Sequence, residues 1–590
     1  MGAVGVVGAV DVGVVGVFGL DGIMLPLVVG DAHAVIGAGA DAVVVARGGL
    51  VEAVRRLEQR DHPRWLVTSA GAGLRTVAGA GVAVARCWDV AEAHRILHGG
   101  WAADPPRVWA SLNGLDPSSL PTRPGGDLFD FFDDGSSVPD DPASPLRADG
   151  HLRVDAFEPS WALGEARLRG LADLLLEVGR RQEAALAHVG PRAVRTAHSE
   201  SAAALLCVEL ERDGLPVDRV VAEELIAGSA GRRPGSEAEA AEIRAERDRV
   251  VMVHAPGRES TDLRNPLQVR ELLAAVGVRV PNTRAWVLEP FRGTHPLVEA
   301  LLQWRKDERI ATTYGYRWLD EHVGPDDRLR GGWTACDGAA GRMTAQNGLH
   351  NLPAPLRPAI AARPGHVFVR ADLGQIEPRV LAVVSGDRAF AEATRADDLY
   401  APVAAKLGID RPVAKIAVLA AMYGQRSGSA GEALKDLERA YPVAMRLLDD
   451  AYAAGVGRGA LRTFGGRRIA LGATLAAGEP TGPPVEGADA QAVDSARGRF
   501  ARNAVIQGSA AELFKAWAAT VRHAVAPSGA EIVLCLHDEL LVHAPESVAA
   551  EVRGLVVSSL AASARRWTGS DRVRFVVDTS VIRRWSEAKG

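Results

Sequence analysis

Residues 532–545 read IVLCLHDELLVHAP. Ile532 to Leu536 and Leu540 to Val542 carry the β-branched and aliphatic residues of two buried strands. Between them stand His537, Asp538 and Glu539. Unpaired buried charge costs several kcal/mol, so three ionisable groups at this place need something that offsets the cost. A second carboxylate pair follows a similar pattern in HVFVRADLGQIEPRVLAVVSGD, residues 366–387. There a strand-like run from Val367 to Ala371 ends in Asp372 and leads through Leu373 to Glu377 into a helix, with Pro378 suited to its first turn. Taken singly, each aspartate reads equally well as a turn or cap residue.

A third stretch, RPVAKIAVLAAMYGQ (411–425), places Arg411, Lys415, Leu419 and Tyr423 at steps of four. Each step drifts only about 40° around a helix, so all four share one face. Two cations that can hold a triphosphate are followed by apolar surface on which a base can stack. An ordinary amphipathic helix with two solvated cations fits the spacing as well.

Composition sets the frame. The chain has 590 residues, 47% of them hydrophobic and 24% charged, long enough for roughly three to four domain-sized units. Cys87, Cys207, Cys336 and Cys535 lie far apart, which suggests neither a zinc site nor a disulfide framework and fits a reducing cytoplasm. The apolar N-terminus lacks a basic leading region and carries Asp11, so no signal peptide and no membrane span are read. Net charge is −5, but it divides into about +5 over residues 301 to 590 and about −10 before them. The basic half can meet phosphate, or the asymmetry can reflect two differently solvated surfaces.

Along the chain, residues 1–110 alternate short Val/Ala/Gly strands with helices such as Leu50 to Arg60, an α/β texture. Residues 113–150 are dense in Pro, Gly, Ser and Asp and read as a long disordered loop or linker. From about residue 195 the helical period dominates. The segment 237–250, EAEAAEIRAERDRV, is polar almost all round and reads as a solvated helix on an exposed tip.

Together these pieces resemble the family-A DNA polymerases, the bacterial DNA polymerase I family, in order over about residues 195–590. DLGQIEPR is similar to the family's D-Y-S-Q-I-E-L-R, RPVAKIAVLAAMYG to its R-x-x-x-K-x-x-x-x-x-x-x-Y-G helix, and HDE to its final H-D-E. GRMTAQNGLHNLP (341–353) and RFARNAVIQGSAAELFK (499–515) match two further motifs. The resemblance implies an α+β right-hand polymerase domain over 191–590, with a thumb at about 195–330, a palm with an antiparallel sheet at about 331–390 and 475–590, and helical fingers at about 391–474. It implies template-directed addition of deoxynucleotides to a primer 3′-OH, in DNA repair or replication, with primer-template DNA and deoxynucleoside triphosphates as partners. The enzyme would be a monomer in the cytoplasm, at the bacterial nucleoid.

By the same carry-over, Asp372 and Asp538 would bind two Mg²⁺ ions, with Mn²⁺ as a substitute, and Glu539 would assist. Arg411 and Lys415 would hold the triphosphate, Lys415 also serving as proton donor. Gln375, Leu419 and Tyr423 would line the nucleotide site, and Glu377 would be the gate that crowds a ribose 2′-OH. Arg342, Arg499, Asn503, Gln507 and His537 would contact DNA, three of them in the minor groove, where acceptors are nearly sequence-independent. The chain departs from the family pattern at Leu373, Gly374 and Pro378. It also has Leu419 where the family has Phe, and a link from Asp372 to Arg411 about ten residues short, which implies smaller fingers.

Residues 1–190 resemble the family's RNase H-like 3′-5′ exonuclease domain in position and texture. No D-x-E occurs in residues 1–60, and Trp161 to Glu165 is at best a weakened Y-x-x-x-D. A degenerate domain that supports the polymerase without cutting is expected, with no 5′-nuclease domain before it. Two other readings stay open: a bifunctional polymerase with working proofreading, and a non-catalytic DNA-binding scaffold.

Overall fold

The computed structural model describes residues 24–116, 119–120, 141, 143–346, 348–424, 431–471 and 490–588. Most of the expected loop at 113–150, namely 117–118, 121–140 and 142, lies outside the described residues, as do the apolar first 23 residues.

Short apolar runs at the N-terminal end become five strands: β1 (Met24–Val29), β2 (His33–Ile36), β3 (Val43–Ala46), β4 (Arg64–Val67) and β5 (Arg86–Asp89). They join in the order β3-β2-β1-β4-β5. Only β2 opposes its neighbours, whereas β1, β4 and β5 run parallel. Such strands are covered on both faces, which is why β1 is buried nearly throughout. Helix α1 (Glu165–Val189) crosses close to the sheet at Gly179, where a Cβ would lie 2.9 Å from Leu66 and 3.0 Å from Met24. Leu66, Trp88, Leu171 and Leu175 centre this core.

Helix α2 (Pro191–Asp213) carries the chain onward from α1. A second sheet is built from β6 (His366–Gly374), β7 (Glu531–Leu536), β8 (Glu539–Pro545) and β9 (Val576–Ile582), in the order β7-β8-β6-β9. Around it stand α3 (Ile376–Ser385), α4 (Arg411–Tyr423), α5 (Ala490–Val525) and α6 (Ala549–Thr568). By length and composition, the segment Glu546–Thr568 that contains α6 is apolar enough to cross a membrane. Here it serves a core: Val552, Val556 and Leu560 are buried, and the Trp517 indole of α5 donates to the Val556 carbonyl at 3.0 Å.

The chain divides into two compact units. The first holds the five-stranded sheet and most of the four-stranded one: residues up to Arg212, Trp333–Thr344 and Val369–Ser580. A fully buried ionic network spans it. The Lys515 ammonium of α5 meets Glu200 of α2 and the Gly341 carbonyl at 2.6 Å, and Arg467 reaches Glu200 at 2.6 Å. On the same two helices, Arg522 pairs with Glu209 and also donates to the Val84 carbonyl beside β5, both at 2.6 Å.

The second unit comprises Asp213–Gly332, Ala345–Phe368 and Val581–Gly590. Its core includes Leu272, Leu273, Leu297 and Leu301. The polar segment expected on an exposed tip is the helix Glu237–Met252, whose buried residues are Ile243, Val251 and Met252.

Candidate active site

The opening stretch folds as a hairpin. Glu531–Leu536 and Glu539–Pro545 pair antiparallel with Leu536 opposite Glu539, which leaves His537 and Asp538 as a two-residue turn. His537 takes φ +55, the left-handed value that such tight hairpin turns require. The turn abuts β6: the Leu373 amide donates to the Asp538 carbonyl at 2.9 Å, next to Asp372. Strand β6 continues beyond the expected end at Asp372 to Gly374, and Gln375 then takes φ +58 before α3 begins.

Burial, and then the charge of Asp372, raise the Asp538 carboxyl to about 6. Asp372 has one oxygen committed: its Oδ2 accepts from Arg370 at 2.6 Å. Arg370 is only 2% exposed, and its other donors reach Glu539 at 2.9 Å and Asp578 at 3.6 Å. Among the described residues no group of three or more His, Cys, Asp or Glu is placed for a metal ion. A cation at this place would therefore rest on Asp372 and Asp538. The crowding that raises the Asp538 carboxyl is the condition a cation would relieve, so the donor pair fits one.

A cleft of about 350 Å³ opens beside the pair, lined by Arg342, Glu377, Tyr423, Gln507, His537 and Asp538. Gln375 and Leu419 complete the expected residues in its wall. The Tyr423 hydroxyl donates to Glu377 Oε2 at 3.2 Å. Burial raises the Glu377 carboxyl above its usual range, whereas burial and the Arg342 charge lower the His537 imidazole. Arg342 itself pairs with Asp337 at 3.2 Å.

Helix α4 buries Ala414, Ala417, Val418 and Ala421 and turns its other face outward, leaving Arg411, Lys415 and Tyr423 exposed and Leu419 half-buried. Arg411 is held by Asp398, while Lys415 has no ion-pair partner among the described residues. Asn503 and Arg499 lie along α5, the latter against Gly424 at the end of α4; neither lines the cleft.

Four supporting residues were not singled out from sequence. Arg370 had a legible signal, since an arginine two residues before Asp372 in a strand shares its face. Arg379, the last letter of DLGQIEPR, is fully buried and donates to the carbonyls of Thr394, Asp397 and Arg574 at 2.6 Å each. Asp398 accepts from Gln375 at 2.8 Å as well as holding Arg411, and Tyr400 lines the cleft with its hydroxyl pushed up to about 12, by burial and then by Glu377. Neither had a local sequence signal, because their partners come together only in the fold.

The model of DNA polymerase family A matches residues 239–587. The chain belongs to DNA polymerase family A. Over 304 residues it is 30% identical to the thermostable DNA polymerase I of Thermus filiformis, a match covering 47% of this chain and 35% of that protein. Over 293 residues it is 31% identical to DNA polymerase I of Chloroflexus aurantiacus, covering 44% and 30%. The chain thus spans about a third of the length of the curated relatives it matches. The fold is shared with the POL domain of Pol1 from M. smegmatis, solved in complex with DNA primer-template and dNTP: TM-score 0.66, 21% identity, covering 96% of this chain and 95% of that one. Of the expected site residues, Asp372, Arg411, Lys415 and Glu539 do not line the cleft; Asp372 lies beside the Asp538 turn, and Arg411 and Lys415 stand on the exposed face of α4, whose Leu419 and Tyr423 do line it.

Proposed function

We propose that this chain is a template-directed DNA polymerase that adds deoxynucleotides to a primer 3′-OH. The observation that carries the reading is the abutment of the Asp538 turn on the Asp372 strand at the edge of a cleft walled by α4. Asp372 and Asp538 would hold two Mg²⁺ ions, which when bound supply Lewis acidity toward the 3′-OH and the departing pyrophosphate. Arg411 and Lys415 orient the triphosphate, and Arg411 must exchange Asp398 for phosphate to do so. Lys415, exposed and without an ion-pair partner among the described residues, protonates the leaving pyrophosphate. Glu377, pinned by Tyr423, fills the space a ribose 2′-OH would need. Arg342, Asn503 and Gln507 read the minor groove near the primer end, with Arg499 and His537 beside them. Glu539 assists, with one oxygen accepting from Arg370, which also holds Asp372.

We assign the thumb to about 195–330, the palm to about 331–390 and 475–590, and the fingers to about 391–474. The N-terminal sheet fits an exonuclease-type domain, in which β1, MLPLVV, offers no carboxylate for a metal. Asp89, on β5, is spent on capping: it accepts from the amides of Ala70 and Glu92. We read a supporting rather than cutting role for this domain, in a monomeric cytoplasmic enzyme of repair or replication at the nucleoid.

The test is extension of a labelled primer-template with Mg²⁺ by the wild type and by Asp538→Ala, with deoxynucleotides and ribonucleotides supplied separately. Extension by the wild type alone, with deoxynucleotides preferred, supports the reading. A wild type that binds the duplex and extends nothing under Mg²⁺ or Mn²⁺ replaces it with the scaffold reading.

A further inference from the structure

A second cleft, of about 520 Å³, lies where β4, α2, α5 and α6 meet, and it shares no lining residue with the cleft beside Asp538. Arg64, Arg192, Arg195 and Arg566 line it together with His198 and His523, and no carboxylate does. Close by, Arg522, one residue before His523, is paired with Glu209. Here, among the described residues, Arg64, Arg195 and Arg566 have no hydrogen-bond or ion-pair partner. Arg192 is turned instead onto the Phe464 ring, 3.9 Å from its centroid.

The imbalance reaches below the surface. Burial, and then the neighbouring Arg86, lower the Arg64 guanidinium from its ordinary value. Burial, Arg64 and Arg86 hold His198 neutral, at about 4. Two buried donors or acceptors in the wall, His198 Nδ1 and Trp567 Nε1, have no partner among the described residues. Glu183 opposes the lowering at Arg64, but no carboxylate lines the cleft, and like charges gathered there destabilise the fold unless an anion completes them.

We propose that this cleft binds a phosphate-bearing anion of pyrophosphate to nucleotide size. Guanidinium forks match phosphate oxygens bidentately, and the volume lies in the range of small-ligand sites. Trp567, Ala516 and Ala519 give the cleft an apolar side that an inorganic anion leaves bare and a nucleobase would cover. The proposal is independent of the polymerase reading, because it uses none of those residues.

The test is calorimetric titration of the full chain in EDTA with sodium pyrophosphate and, separately, with ATP. Three proteins are compared: wild type, Arg64→Gln/Arg195→Gln, and Arg411→Ala/Lys415→Ala. One anion bound per chain, retained in the Arg411/Lys415 variant and weakened about tenfold or more in the Arg64/Arg195 variant, is expected. If the latter does not fold, as read by its melting curve, Arg566→Gln at the exposed rim is expected to weaken binding by about fivefold. ATP binding more tightly than pyrophosphate, with the difference lost in Trp567→Leu, would assign the ligand as a nucleotide; equal affinities would assign the inorganic anion. No binding of either, or binding lost only with Arg411 and Lys415, overturns the proposal.

Discussion

At the scale of single residues, the chemistry turns on how costly Asp538 is to ionise. Its carboxyl, raised to about 6 by burial and by Asp372, must lose a proton before a cation can bind. Primer extension at limiting Mg²⁺ should therefore rise with pH through about 6, and added metal, which competes with the proton, should move the midpoint lower. The sign for stability is opposite. A carboxyl whose folded value exceeds its unfolded value of 3.8 contributes stability at low pH that is lost as pH rises through 6. Asp538→Asn should thus abolish extension yet raise the melting temperature in EDTA at pH 8; a lower melting temperature would count against the electrostatic account. Glu377→Ala should raise ribonucleotide incorporation about tenfold relative to deoxynucleotide, measured as the ratio of kcat/KM values. Asp372 and Asp538 stood out because ionisable groups interrupt strand-forming runs, and Glu377 through its place in DLGQIEPR. Their supports were less so: Arg370 carried a period-two signal, whereas Asp398 acquires its meaning only when Gln375 and Arg411 converge on it.

At the scale of elements, helix α4 shows how much a spacing reveals. Steps of four were enough to place Arg411, Lys415, Leu419 and Tyr423 on one face, and the alternation with Ala414, Ala417 and Ala421 put that face outward. Spacing could not show that Arg411 is engaged, since Asp398 precedes the helix in a turn. Leu419 offers no aromatic ring at its own place in the wall, where a stacked base is worth about 1–3 kcal/mol. Leu419→Phe should lower KM for deoxynucleotides about fivefold with little change in kcat, measured by single-nucleotide insertion. A change in kcat alone would show that Leu419 governs closure of the helix rather than stacking. The boundary of β6 was misjudged for a related reason: Asp372 looked like a strand end, but pairing in the sheet carries the strand on to Gly374.

At the scale of the molecule, the α/β texture of the first 110 residues foretold the five-stranded sheet but not what binds it to the rest. Arg522 of α5, paired with Glu209 of α2, reaches the Val84 carbonyl beside β5, and on the same two helices Lys515 and Glu200 form with Arg467 an ionic cluster in which each is at most 3% exposed. Sequence hides it because the partners lie hundreds of positions apart. Removing one member strands the others, so Glu200→Ala should cost about 3–5 kcal/mol, read from denaturant midpoints. The double variant Glu200→Met/Lys515→Met, which leaves Arg467 facing Glu512, should recover much of that loss.

Acid should strike the same region. His94, on the helix that follows β5, is buried and stacked on His98 at 4.5 Å. Burial, and then the charges of His98, Arg95 and Arg107, hold its imidazole down at about 3, and His198 on α2 is held at about 4. In both, the folded chain keeps the neutral ring while the unfolded chain takes up a proton below 6.5. Stability therefore falls as pH drops from 6.5 toward 4, by up to about 2 kcal/mol per histidine at pH 5. Denaturant midpoints at pH 7.5 and pH 5 should separate for the wild type and draw together in His94→Gln/His198→Gln.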